Sequence, residues 1–108
     1  MATEPLLNWS TSVSWTAAKE GLTRGLAVDL APIRLNCVAP GVVHTELVEG
    51  ISGGSKEKLE GILALYKSTT LTKTVGRPED LDEAYLWLLR DTYVTGTVVH
   101  RDGGYFFA

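Results

Sequence analysis

Apolar residues recur at helical spacing over residues 14–31, where they form two stripes on one predicted helix. One stripe carries the larger side chains and the other carries small ones, so we expect this helix to be buried on two sides. Pro32 ends the helix, because a proline disfavours the helical conformation in the residue before it. The first stripe runs through Trp15, Ala18, Leu22, Leu26 and Asp29, and the second through Ala17, Gly21, Val28 and Ala31.

Two further helices are predicted towards the C-terminus. Ser55 is a suitable N-cap for a helix that runs through Tyr66, and residues 42–54 before it are predicted to be a loop. The last helix is the best marked, because Pro78 suits the first helical position and Arg90 suits the last turn. Its apolar stripe is typical of a helix that lies on a sheet. The stripe consists of Leu81, Ala84, Tyr85, Leu88 and Leu89.

Two short β-prone runs alternate with these helices. Residues 33–39 are closed by the turn signal Pro40-Gly41, and residues 97–100 come before Asp102-Gly103-Gly104. Because helices join the two runs, we expect the strands to be parallel. The prediction is a single α/β domain over residues 1–108, in the order helix, strand, helix, helix, strand.

Composition narrows the class of protein. Hydrophobic residues make up 44% and charged residues 21%, which is typical of a globular domain. The net charge of −3, without a basic cluster, argues against a nucleic-acid partner. Cys37 is the single cysteine and lies in an apolar run, so we expect a reduced, buried thiol. With no signal peptide or membrane span in the sequence, we expect a soluble cytoplasmic protein.

Three segments, in the right order and spacing, resemble those of classical short-chain dehydrogenases/reductases. Residues 20–41 resemble the passage from a helix into the sixth strand of that family, and residues 76–80 resemble the start of its penultimate helix. Residues 95–98, followed by residues 102–104, resemble its last strand and closing turn. The resemblance covers residues 9–104 and implies the C-terminal part of a Rossmann-like doubly wound fold.

The half of the family domain that grips the dinucleotide has no counterpart here. The eleven glycines include no G-x-G-x-x-G pattern, and the residues before Ser14 are too few for one. The first five strands of the family sheet also lack a counterpart, so we expect a truncated member. NAD(P) is implied by the resemblance alone, and no cofactor is expected for the isolated chain.

The resemblance implies a catalytic tyrosine with a lysine four residues later. Lys19 matches the lysine, but Trp15 stands at the tyrosine position. An indole N–H donates a hydrogen bond without titrating usefully, so Trp15 cannot act as the general acid. The family's serine would fall near Ala2, with Thr3 a poor substitute. The alternative is that Lys19 is a simple surface lysine.

A second group of candidate residues follows the first strand. Pro40, Gly41, Val43 and Thr45 match the family's P-G-x-x-x-T turn, which implies contacts with the nicotinamide carboxamide and a nearby phosphate. The alternative is that Pro40-Gly41 simply ends a strand and that Thr45 caps the segment after it.

The segment of residues 46–72 corresponds to the family's substrate lid. His44, Glu46 and Glu49 could supply acid/base groups to a small-molecule pocket, or they could be solvated surface residues. His100 is expected to be structural, and two distant histidines predict no metal site. The aromatic residues would pack the core or an interface, or would line a pocket for a hydrophobic ligand.

The first predicted strand lacks the neighbour that the family sheet gives it. An apolar strand with an unpaired edge favours association, and the resemblance places the helix of residues 14–31 on the family's dimer surface. We therefore expect a homodimer or higher oligomer that completes the two-strand core. Three functions remain open. The first is a non-redox protein that binds a small molecule or a protein partner. The others are a cofactor-free cyclase, isomerase or aldolase acting on a hydrophobic natural product, and a fragment of an ordinary NAD(P)-dependent oxidoreductase.

Overall fold

The computed structural model describes residues 10–105, which form four helices and two strands. These elements confirm the predicted α/β fold and add one short helix where a loop was predicted. In chain order they are α1 (Ser10–Asp29), β1 (Cys37–Pro40), α2 (Glu46–Ile51), α3 (Lys56–Thr69), α4 (Pro78–Arg90) and β2 (Val98–Arg101).

Strands β1 and β2 pair in parallel, as predicted, and their register runs from Cys37 opposite Val98 to Pro40 opposite Arg101. The first strand is shorter than predicted and begins only at Cys37. The prediction of a buried thiol is wrong, because Cys37 is half-buried in a sheet of two strands that leaves its neighbours only partly covered.

Residues before β1 anchor the end of α4 instead of extending the strand. The Arg34 guanidinium donates hydrogen bonds to the carbonyl oxygens of Leu88 (2.8 Å), Val94 (3.3 Å) and Leu89 (3.4 Å). The Asn36 side-chain amide donates to the Val94 carbonyl at 3.1 Å. These carbonyls belong to the last turn of α4 and the loop after it, where helical partners are missing. Arg34 therefore caps α4 from a distant part of the chain.

Helix α4 has the bounds that the sequence predicts, with proline in the first turn. The Asp80 carboxylate accepts a 2.7 Å hydrogen bond from the Arg77 backbone N–H, and this bond holds the pKa of Asp80 below its ordinary value. Because the folded-state pKa is lowered, the stabilisation is present above the ordinary carboxyl pKa and is lost as the pH falls through the folded-state value. Arg101 on β2 donates two hydrogen bonds to the Asp80 carbonyl, at 2.7 and 3.0 Å, and ties the sheet to this helix end.

The predicted apolar stripe of α4 is only partly covered. Ala84 and Leu88 are buried, whereas Tyr85 is 52% exposed and Leu89 is 74% exposed. A two-stranded sheet is too narrow to cover the full width of the helix stripe, so one side of α4 has no neighbour within residues 10–105.

The expectation that α1 is buried on two sides is not met within the described chain. Only Thr23 and Ala27 are buried, while Trp15, Leu22 and Val28 are 58–77% exposed. The helix also begins earlier than predicted and ends before the last residue of the predicted range.

Gly21 and Gly25 lie in the middle of α1, and an added Cβ at either position meets nothing within 4 Å. Glycine costs helix stability of about 1 kcal/mol relative to alanine. We expect Gly21→Ala and Gly25→Ala each to raise the free energy of unfolding by about 0.5–1 kcal/mol, measured by urea denaturation. A loss of stability instead would show that another chain packs closely against this helix.

The sequence predicts a loop where α2 lies, because six residues are too few for an apolar periodicity to indicate a helix. Its first turn carries Glu46 and Glu49, and Val48 is buried. Ser55 caps α3 as predicted, since its hydroxyl accepts a 3.2 Å hydrogen bond from the Lys58 backbone N–H. Helix α3 continues to Thr69, three residues beyond the predicted end.

Candidate functional site

Trp15 and Lys19 lie one helical turn apart on α1. The Lys19 ammonium is 5.4 Å from the centroid of a Trp15 ring, within the range of a cation–π contact. Trp15 is 66% exposed, so its indole face is available from solvent. The pair offers a positive charge beside a flat aromatic surface. That Trp15 occupies the position of the family's catalytic tyrosine remains a prediction.

Gly41 is required by the fold itself. A Cβ added at this position would lie 2.7 Å from the Cβ and 2.8 Å from the Cα of Asp102, so β1 and the turn after β2 approach closely here. The Gly41 N–H donates to the Arg101 carbonyl at 3.1 Å and extends the pairing of the two strands. Its N–H is therefore engaged by the protein and is not available to a ligand in this arrangement.

The segment after Gly41 is held against the residues before α4. Val43 forms an isolated parallel bridge with Gly76, and the His44 N–H donates to the Gly76 carbonyl at 2.8 Å. Thr45 follows as the N-cap of α2, but its hydroxyl makes no capping hydrogen bond. The alternative prediction that Thr45 caps the next segment holds for its backbone position. Its exposed side chain remains open to a ligand.

His44 and Glu49 form the one side-chain pair among the candidate acid/base residues that the structure brings together. His44 Nε2 lies 3.2 Å from a Glu49 carboxylate oxygen, and the two side chains are 41% and 54% exposed. Glu46, the third candidate, has no such contact with the described residues. A contact this exposed stabilises the fold little, but a carboxylate that is hydrogen-bonded to one imidazole nitrogen also orients the ring.

Two clefts are not lined by His44, Glu46 or Glu49. One is an open, polar cleft of about 330 Å³ lined by residues of the 72–80 and 100–104 segments. The other is a groove of about 200 Å³ between β1 and α4. Lys19 and Thr45 line neither cleft, and of residues 46–72 only Thr72 lines one of them. Thr3 and the aromatic residues Trp9, Phe106 and Phe107 lie outside the described residues.

The residues that the resemblance assigns to a dinucleotide differ in what they leave available to a ligand. The Gly41 N–H is engaged by the Arg101 carbonyl. The bridge between Val43 and Gly76 is made by the Val42 carbonyl and the His44 N–H, so it does not use the backbone groups of Val43 itself. The Lys19 ammonium and the Thr45 hydroxyl remain, but a pyrophosphate is normally held by a set of convergent backbone N–H groups at a helix N-terminus. Residues 10–105 contain no group of three or more His, Cys, Asp and Glu residues that could hold a metal ion.

Three side chains outside the predicted candidates hold the two ends of α4 and the loop after it: Arg34, Asn36 and Arg101. The sequence predicts Arg34 and Asn36 to be strand residues, and Arg101 falls between a predicted strand and a turn. Each binds backbone carbonyls that are distant in sequence, so local patterns carry no signal for them. No helix within residues 10–105 combines the length and apolar character needed to cross a membrane.

Comparison with known proteins gives one consistent result. The family model described as an SDR-like Rossmann domain matches residues 1–108. The chain is 41% identical over 103 residues to the short-chain dehydrogenase/reductase malC of Malbranchea aurantiaca, covering 95% of this chain and 38% of that protein. It is 40% identical over 103 residues to the short-chain dehydrogenase/reductase ATR9 of Stachybotrys chlorohalonatus, covering 95% of this chain and 39% of that protein.

Solved structures agree. The structure of MalC, a reductase/Diels-Alderase from Malbranchea aurantiaca, superposes with a TM-score of 0.90 at 38% identity and covers 99% of this chain and 40% of that one. A small-chain dehydrogenase in complex with NADPH superposes with a TM-score of 0.86 at 31% identity, covering 99% of this chain and 48% of that one. The chain thus spans less than half the length of these relatives. It belongs to the short-chain dehydrogenase/reductase family and corresponds to the C-terminal half of that family's Rossmann-like domain.

Proposed function

We propose that this chain is a partner-binding member of the family that does not carry out NAD(P)-dependent redox chemistry alone, and that its first partner is a second copy of itself. The observation that supports this is the amount of apolar surface without a neighbour. The buried apolar residues of the described chain are few: Ala27, Val48, Ala84 and Leu88. Large apolar side chains stay exposed on α1 and α4, and such surface favours association.

Sedimentation equilibrium at low micromolar concentration tests this association. We expect a mass of at least two chains, with unfolding that depends on protein concentration because folding and assembly are linked. A stable, folded monomer under these conditions would contradict the proposal.

The proposal that the chain alone does not carry out redox chemistry rests on two groups: backbone N–H donors for a pyrophosphate, and a phenol that could give a proton. Without convergent backbone N–H groups for a pyrophosphate, most of the affinity for a dinucleotide is lost. With Trp15 beside Lys19, no phenol stands there to give a proton to a carbonyl substrate.

Fluorescence titration of the purified chain with NADPH and NADH checks this point. We expect no micromolar binding, and we expect Trp15→Tyr to give no NADPH oxidation with carbonyl substrates. The matched control is Trp87→Tyr, which makes the same substitution at a tryptophan that is not in contact with Lys19. Micromolar binding by the unaltered chain would favour the third function, a piece of an ordinary oxidoreductase.

A second candidate is a cofactor-free cyclase or isomerase acting on a hydrophobic natural product. The similarity to MalC, described as a reductase/Diels-Alderase, favours it. In this chain the Lys19 ammonium and the His44–Glu49 pair would supply hydrogen bonds and acid/base groups. Cyclisation and isomerisation conserve mass, so chromatography with mass detection of a natural-product library incubated without nicotinamide would show a new peak of unchanged mass. Absence of such a peak with the assembled protein counts against this candidate.

A further inference from the structure

The α2–α3 segment, residues 45–69, is fastened to the rest of the domain at both ends. Before the segment, the His44 N–H donates to the Gly76 carbonyl at 2.8 Å. After the segment, the Thr72 N–H donates to the Gly103 carbonyl at 3.1 Å. The first of these hydrogen bonds joins the start of the segment to the residues before α4, and the second joins its end to the turn after β2.

The fastening at the end of the segment is closely packed. We call it the latch, and it consists of the loop of residues 70–74 and the turn of residues 102–104. An added Cβ at Gly103 would lie 2.6 Å from the Thr72 Oγ1, and one at Gly104 would lie 2.8 Å from a side-chain carbon of the same loop. The turn can therefore approach the loop this closely only because both of its last residues are glycines.

The shape of this turn depends on the Asp102 side chain. Its Oδ1 accepts a 2.9 Å hydrogen bond from the Gly104 N–H, two residues further on. Aspartate and asparagine stabilise turns in this way. The other oxygen, Oδ2, is buried and has no hydrogen-bond partner among the described residues. Because a buried oxygen without a partner destabilises a fold, the favourable contribution of Asp102 lies in the geometry of the turn and not in its charge.

We propose that Asp102 is a positioning residue for the α2–α3 segment. Its carboxylate holds the turn in the shape that receives the Thr72 N–H, so the latch fixes the end of the segment while the bond to Gly76 fixes its start. Glu49 lies on the segment, whereas His44 lies at the fixed start, and His44 Nε2 is 3.2 Å from a Glu49 carboxylate oxygen. Release of the latch frees the segment at one end and weakens this contact. Asp102 thus acts on the orientation of the His44 ring from a turn that is distant in sequence.

Amide hydrogen exchange of Asp102→Ala tests the proposal. Alanine keeps the Cβ that lies beside Gly41 and removes only the carboxylate. We expect the Thr72 amide to lose roughly five- to tenfold of its protection, the effect of one hydrogen bond, while the Leu88 amide in α4 keeps its own. Asp102→Asn retains an oxygen that can accept from the Gly104 N–H, so it is expected to protect the Thr72 amide as well as the aspartate does.

Asp91→Ala is the matched control for the loss of an aspartate. The Asp91 carboxylate accepts the same kind of hydrogen bond, from the Tyr93 N–H two residues further on at 2.9 Å, but in the turn before β2 instead of the turn after it. We expect Asp91→Ala to leave the protection of the Thr72 amide unchanged. NMR of the His44 ring gives a second readout, because its ring-proton shifts in Asp102→Ala should move towards those of Glu49→Ala, which lacks the carboxylate contact.

The inference is independent of the proposed self-association, because every contact it uses lies within one chain. Unchanged protection of the Thr72 amide in Asp102→Ala would overturn it. Equal losses at Thr72 and Leu88, or an Asp102→Ala chain that unfolds while Asp91→Ala stays folded, would also overturn it, since the carboxylate would then support the whole fold. If Asp102→Asn exchanges as fast as Asp102→Ala, charge and not turn geometry is responsible, and the proposal is wrong. Loss of Thr72 protection with an unmoved His44 ring would refute the link to His44.

Discussion

Replacing Gly41 with alanine is expected to lower the free energy of unfolding by about 3 kcal/mol, because the new Cβ meets the Asp102 backbone and cannot be accommodated by a side-chain rotation. The Cβ would stand 2.8 Å from the Asp102 Cα, a separation that forces β1 and the turn after β2 apart. The movement would also strain the hydrogen bond from the Gly41 N–H to the Arg101 carbonyl. Urea denaturation at a fixed protein concentration measures the loss.

Gly50→Ala is the matched control for this substitution. Gly50 lies in α2, where an added Cβ meets nothing within 4 Å, so alanine should stabilise the helix by up to about 1 kcal/mol. Equal stability changes at the two positions would show that the close approach at Gly41 does not exist. The result also bears on function, because it separates a structural need for this glycine from a need imposed by a nicotinamide.

Arg34→Met is expected to lower the free energy of unfolding by about 2–3 kcal/mol. Methionine keeps most of the side-chain length, but it loses the donors to the Leu88, Leu89 and Val94 carbonyls and leaves the end of α4 uncapped. Thermal unfolding followed by circular dichroism measures the loss, and Arg34→Lys should recover only part of it because an ammonium lacks the planar fork.

Arg24→Met on α1 controls for the general effect of removing a positive charge. Arg24 is exposed and makes no hydrogen bond with the described residues, so its replacement should change stability by less than about 0.5 kcal/mol. If both arginine variants lose the same stability, the contribution comes from net charge and not from the cap at the end of α4.

Elements with their own local signals could be predicted from the sequence. Proline at the start and arginine in the last turn set both ends of α4, and Ser55 set the start of α3. The glycine turns around residues 41 and 103 bounded the two strands, and the helices between them required parallel pairing. The three segments that resemble short-chain dehydrogenases were also sufficient to predict the family that the comparisons confirm.

The candidate site was predicted less completely. The sequence indicated Trp15 and Lys19 as one-turn neighbours, and the structure places them in contact. The sequence did not indicate which of Glu46 and Glu49 contacts His44. The contact depends on the formation of α2, which the sequence did not predict. The assignment of Pro40, Gly41, Val43 and Thr45 to a nicotinamide stays a prediction, although the packing at Gly41 supplies a structural reason for its glycine.

The sequence by itself determined the type and order of the well-marked elements, because caps, turns and apolar periodicity act over a few residues. Only the tertiary structure decided where β1 begins, that Arg34 caps α4, and which side chains of α1 and α4 are left without a neighbour. Each of these depends on contacts between residues far apart in the chain, and burial depends on how wide a sheet stands beneath a helix. An apolar stripe predicts that one face of a helix packs against a neighbour. Only the folded structure shows whether that neighbour belongs to the same chain.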